Sequence, residues 1–237
     1  MSALPTLVLV HGGTMTSTMW DQVGEHLQSP SVAVDLPGRR YRPADLSRIR
    51  RNDWVRAVAQ DIECLGEVLL VGHSSGGYVI PGVAALSPHR VRRMVFVAAT
   101  VPAEGTRPAD FLKPGLKEMT IEHEQQVFES TAGLTIGGLR PGERPVETEL
   151  EVVENGPRMG HEAPGPLFEP FTWAGVPPSL PRTYVRCLQD RVIPPKQAEL
   201  MIANMGGAEV IDIDANHDVA TAAPELLAKI LDDLAQA

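Results

Sequence analysis

The sequence predicts an α/β fold built on a mostly parallel sheet with helices on both faces. Short runs of Val, Leu and Ile are bounded by glycine or proline, as in strands buried on both faces. Stretches of helical periodicity separate these runs at the spacing of βα units. Right-handed crossovers then distribute the helices over the two faces.

Residues 6–10 (TLVLV) are the first strand, ending at His11-Gly12-Gly13. Met19, Trp20, Val23 and Leu27 predict a helix over 17–28, stopped by Ser29-Pro30. Residues 31–36 are the second strand, closed by Pro37-Gly38. Val55, Val58, Ile62 and Leu65 predict a helix over 53–65, and 67–71 (EVLLV) is the third strand. Gly72-His73-Ser74-Ser75-Gly76-Gly77 follows, then an apolar helix to about Leu86 and a fourth strand over 91–98. After an irregular middle with short helical candidates at 107–112 and 122–131, strands return at 182–187 and 208–213. Helices are predicted over 195–205 and 224–235, the last with Pro224 near its first turn.

At 237 residues the chain fits one α/β domain, since single domains of roughly 200–250 residues are common in this class. Glycine and proline number 21 each, and 12 of the prolines fall within 101–181. That concentration divides the chain into a core of 1–100 and 181–237, and a cap inserted at 101–180. Such an insertion belongs over the strand C-termini, where open α/β sheets bind ligands. No run approaches the ~20 apolar residues of a membrane span, and the first residues lack a basic, cleavable leader. The net charge of −9 argues against nucleic acid as a partner. Cys64 and Cys187 are too few for a disulfide framework or a cysteine zinc site, and fit a reducing cytoplasm as free thiols. Seven arginines (39, 40, 42, 48, 50, 51 and 56) crowd within 18 positions. They read as a solvated loop and helix face, with an anion-docking surface the sharper alternative.

Gly72-His73-Ser74-Ser75-Gly76 matches G-x-S-x-G between a strand and a helix. A sharp turn there lifts the Ser74 hydroxyl above the sheet as a nucleophile. A serine needs a base. His217, in the loop after the last strand, lies on the same sheet edge, and Asp190, after the penultimate strand, can orient it. The order Ser…Asp…His is that of α/β-hydrolases. Glu104, Asp214 and Asp218 suit the acid's role less well. The oxyanion requires two main-chain donors. These are Ser75 N–H and Gly13 N–H, with Gly12 the fallback; His11 braces that loop. Gly12, Thr14 and Trp173 are candidate substrate contacts. Phe111, Phe128, Phe168, Phe171 and Trp173 are candidate cap lining.

LVLVHGG, VDLPG, VLLVGHSSGG, YVRCLQD followed by IPP, and the late Asn-His together resemble the α/β-hydrolase superfamily. Within it, the compact size resembles the methylesterase and hydroxynitrile lyase group. The resemblance covers 5–100 and 181–237. It implies the triad Ser74, Asp190 and His217 and the donors Gly13 and Ser75. The lyases of that group carry threonine where this chain has Gly12 and lysine where it has Asp218, which favours ester hydrolysis here. The expected activity is cleavage of a small carboxylic ester through an acyl-enzyme, with no metal or organic cofactor. Lactone or carbon–carbon hydrolysis, perhydrolysis, and a ligand-binding or signalling role with little turnover stay open as alternatives. The expected partner is a small-molecule ester, with no nucleic acid and no membrane; a homodimer is left open.

Overall fold

The computed structural model describes residues 4–39, 41–112 and 162–237. Six strands form one sheet: β1 (Thr6–Val10), β2 (Ser31–Val34), β3 (Val68–His73), β4 (Val91–Val97), β5 (Arg182–Cys187) and β6 (Glu209–Ile213). Their order is β2-β1-β3-β4-β5-β6, and all five pairings are parallel. From β1 the chain moves first to β2 on one side, then to β3 on the other. The strand order therefore reverses at β1 and β3, and a parallel sheet places its ligand site at the C-terminal ends of the strands at such a reversal. The register sets Val10 beside Gly72 and Cys187 beside Ile213, so the loops that follow emerge side by side.

Alternate residues of the central strands enter two separate cores, as the period of a strand demands. Val8, Val10, Leu70, Phe96 and Tyr184 face one core with Trp54, Val58, Ile80 and Met201. These come from helices α2 (Arg51–Asp61), α3 (Ile80–Leu86) and α5 (Pro195–Asn204). Leu7, Leu9, Leu69, Val71 and Val95 face the other core with Trp20, Val23, Leu227 and Leu231. Trp20 ends a 3-10 turn (Ser17–Trp20) that runs into α1 (Asp21–Gly24), and the two leucines lie on α7 (Pro224–Gln236). The expected helices on both faces are thus present. Each large apolar side chain so buried contributes about 1.5–3 kcal/mol.

Several boundaries differ from the sequence expectation for identifiable reasons. The helix expected over 17–28 ends at Gly24, because the N–H groups of Gln28 and Ser29 donate instead to the buried Asp232 carboxylate of α7, at 2.9 and 2.8 Å. Strand β2 stops at Val34: Asp35 accepts from Ser17 N–H at 2.7 Å, and Leu36 N–H donates to His11 Nε2 at 3.2 Å. The candidate at 107–112 is a 3-10 turn, Pro108–Phe111. Two short helices were not expected, α4 (Pro164–Phe168) and α6 (Val219–Ala222). The candidates over 122–131 and at Phe128 lie outside the described residues. Among the described residues no helix is long and apolar enough to cross a membrane.

Candidate active site

Strand β3 delivers Ser74 at its C-terminal end, and the backbone turns there through a left-handed conformation, φ 50°. A non-glycine residue held so costs about 1–2 kcal/mol, which the packing around it must supply. That packing is close. A Cβ on Gly76 would lie 2.9 Å from the Val10 carbonyl oxygen, and one on Gly72 would lie 2.7 Å from the Gly76 carbonyl oxygen. Only glycine lets β1, β3 and the turn approach this far.

Ser74 Oγ lies 3.0 Å from His217 Nε2. His217 Nδ1 lies 2.7 Å from Asp190 Oδ2. A carboxylate only accepts, so Nδ1 carries the proton and Nε2 is left to accept from the serine. The second Asp190 oxygen accepts from Val192 N–H at 2.7 Å and Ile193 N–H at 2.8 Å. Asp190 is 4% exposed, and both of its oxygens are hydrogen-bonded, as burial requires. The alternatives are engaged elsewhere: Asp214 accepts from Gln189 and Glu104 from Trp173 N–H.

His73 also belongs to this group, although the sequence offered no reason to single it out beyond its place in the glycine motif. Its Nε2–H donates to the His217 carbonyl at 2.9 Å, and its ring meets those of His217 and Trp20, with centroids 4.9 and 6.3 Å away. Burial, then the neighbouring His217, lower its pKa to about 3. It is a neutral brace.

The loop after β1 packs against the serine. A Cβ at Gly12 would lie 3.1 Å from Ser74 Cβ, and one at Gly13 3.5 Å from Ser75 Oγ. Leu36 N–H donates to His11 Nε2 at 3.2 Å, so His11 Nδ1–H donates to the Gly12 carbonyl at 2.8 Å. Burial and Arg39 hold the His11 pKa down at about 4. His11 therefore braces the loop as a neutral donor. Thr14 (φ 59°) is committed within the protein: its hydroxyl donates to the Gly13 carbonyl at 2.7 Å, and its N–H to Glu162 Oε2 at 2.7 Å.

Ser74, Ser75, His217, Asp190, Gly12, Gly13 and Thr14 are thus brought together. Trp173 lies 5.2 Å from the Phe171 ring and 6.3 Å from that of Phe96, with the Arg182 guanidinium 4.7 Å over its face. Phe168 and Phe171 are buried, and Phe111 packs against the same core. Cys64 and Cys187 are free, and burial pushes the Cys187 thiol up to about 12. Among the described residues no group of three or more His, Cys, Asp or Glu is arranged to hold a metal.

The expectation of a solvated arginine stretch holds only in part. Arg39 is fully buried and ion-paired to Glu162, while Arg50 pairs with Glu169 at 3.6 Å. The anion docked here belongs to the protein's own 162–169 segment. No local signal marks Arg39 and Glu162, which lie 123 positions apart.

The model of the alpha/beta hydrolase family matches residues 7–230. The chain belongs to the alpha/beta hydrolase family. A pyrethroid hydrolase of Sphingobium wenxiniae is 25% identical, over 98% of this chain and 88% of its own. Methylesterase 17 of Arabidopsis thaliana is 22% identical, over 90% of this chain and 85% of its own. Among solved structures, an extracellular alpha/beta-hydrolase from a Paenibacillus species superposes with a TM-score of 0.73 at 22% identity, covering 97% of this chain and 98% of its own.

Proposed function

We propose that this alpha/beta hydrolase is a serine esterase that cleaves a small carboxylic ester through an acyl-enzyme. The observation that carries the reading is the continuous hydrogen-bonded line from Ser74 Oγ through His217 to Asp190, at 3.0 and 2.7 Å. His217 Nε2 takes the Ser74 proton as Oγ attacks the ester carbonyl. The negative charge that forms on the carbonyl oxygen is held by the N–H groups of Ser75 and Gly13. Asp190 keeps His217 in the required tautomer and stabilises the imidazolium. His217 then protonates the leaving alcohol, and a water deprotonated by the same nitrogen releases the acid from Ser74.

The name methylesterase borne by one relative, and hydrolase by another, support ester cleavage over the other reactions open to such a site. Segment 101–180 is proposed as the cap that roofs the pocket and selects the acyl and alcohol groups. Free Cys64 and Cys187 are compatible with a reducing cytoplasm. Short-chain and aromatic p-nitrophenyl esters, lactones and β-diketones, tested side by side, check the reading. Multiple turnovers on an ester are expected; no turnover of any ester would overturn it.

A further inference from the structure

The arginine-rich stretch places one guanidinium fully inside the protein, against the loop that follows β1. Arg39 is 0% exposed and donates Nη2 to Glu162 Oε1 and Nε to the Met15 carbonyl, the latter at 3.0 Å. Glu162 comes from the segment between β4 and β5, and its side chain is 12% exposed. Its Oε1 also accepts from Ala163 N–H at 2.8 Å, and its Oε2 accepts from Thr14 N–H at 2.7 Å. The ion pair therefore grips the loop twice, at the Thr14 N–H and at the Met15 carbonyl.

Gly13 lies between two planar peptide units. The unit before it is held through the Gly12 carbonyl by His11, and the unit after it through the Thr14 N–H by Glu162. Gly13 has no side chain to restrict its own φ and ψ, so these two anchors set the direction of its N–H. Glu162 also occupies the Thr14 N–H, which removes the competing donor next along the loop.

We propose that Glu162, paired with Arg39, is a positioning residue that pre-organises the Gly13 N–H for the oxyanion and couples that donor to the seating of residues 162–169. The inference rests on the serine-esterase reading. A donor misplaced by a fraction of an ångström stabilises the developing charge less while leaving ground-state binding nearly intact.

The test compares wild type, Glu162→Ala and Glu162→Gln for kcat and KM on p-nitrophenyl acetate. It also measures inhibition by a trifluoromethyl ketone, whose adduct with Ser74 carries an oxyanion. Glu162→Ala is expected to lower kcat about ten- to a hundredfold, to change KM less than about threefold, and to weaken the ketone by the factor lost in kcat. Glu162→Gln keeps an acceptor for the Thr14 N–H and is expected to fall between the two. Wild-type kcat and ketone affinity in both variants, even with a lowered Tm, would overturn the proposal, as would a rise in KM alone. If Glu162→Ala gives no cooperative melting transition, Glu162→Gln decides on the same two readouts. Wild-type turnover and its loss in Ser74→Ala test the esterase reading separately, because the Glu162 variants are scored as ratios to wild type.

Discussion

His73 and His217 lie 144 positions apart and meet through one hydrogen bond, from His73 Nε2–H to the His217 carbonyl at 2.9 Å. The residue immediately before Ser74 thus tethers the backbone of His217. Strand β3 thereby fixes the distance between Ser74 and His217 from both ends. Replacing His73 with Phe retains a ring against Trp20 and removes the donor. The expected result is a loss in kcat of about tenfold with KM little changed, as for a misoriented base. Steady-state kinetics on one ester check it, and an unchanged kcat would count against the tether.

Asp190→Asn probes the tautomer. One oxygen would still accept from Val192 and Ile193 N–H, so the local turn is expected to survive. The amide NH₂ would then face His217 Nδ1, forcing that nitrogen to accept and putting the proton on Nε2. Such a ring cannot take the Ser74 proton. A fall in kcat of roughly 10³- to 10⁴-fold is expected, at near-native Tm.

Two buried neutral histidines make stability depend on pH. The His11 pKa is lowered from 6.5 to about 4, and that of His73 from 6.5 to about 3. The unfolded chain binds protons below pH 6.5 that the folded chain refuses until each lowered pKa is reached. Stability therefore has no such penalty above pH 6.5 and falls as pH drops below it, by about 3 kcal/mol or more per histidine at full effect. Urea midpoints from pH 7.5 to 4.5 should decline. The decline should be shallower in His11→Gln than in wild type.

The two loop glycines should respond differently to a methyl group. At Gly12 it would come within 2.9 Å of His73 Nδ1 and 3.1 Å of Ser74 Cβ, both parts of the site's rigid frame. At Gly13 the one tight contact is Glu162 Oε2 at 3.0 Å, and the next, Ser75 Oγ, is at 3.5 Å. Gly12→Ala is expected to lower kcat about a hundredfold and Gly13→Ala less. Equal losses would mean that the loop shifts as a unit.

The sheet, its strands and the residues of the proposed triad were legible in the sequence because each depends on local pattern. TLVLV and RTYVRC are read directly from their apolar runs, and Ser74 from its flanking strand, turn and helix. The hidden parts depend on distant partners. Asp232 ends a helix more than 200 positions earlier in the chain, and α4 is written in Pro-Gly-Pro, a composition that reads as a break. Arg39 and Glu162 look like ordinary surface charges until the fold buries them together. The Arg182 and Phe171 neighbours of the Trp173 ring are likewise set by the fold and not by local pattern.

The central claim is that Ser74 is the nucleophile. Its most direct test is the initial rate of hydrolysis of short-chain and aromatic p-nitrophenyl esters by wild type and by Ser74→Ala, with the variant's fold verified by its melting transition. The account predicts multiple turnovers for wild type and a loss of roughly 10⁴-fold or more in the folded variant. Ester hydrolysis by Ser74→Ala at a rate near that of wild type would contradict it.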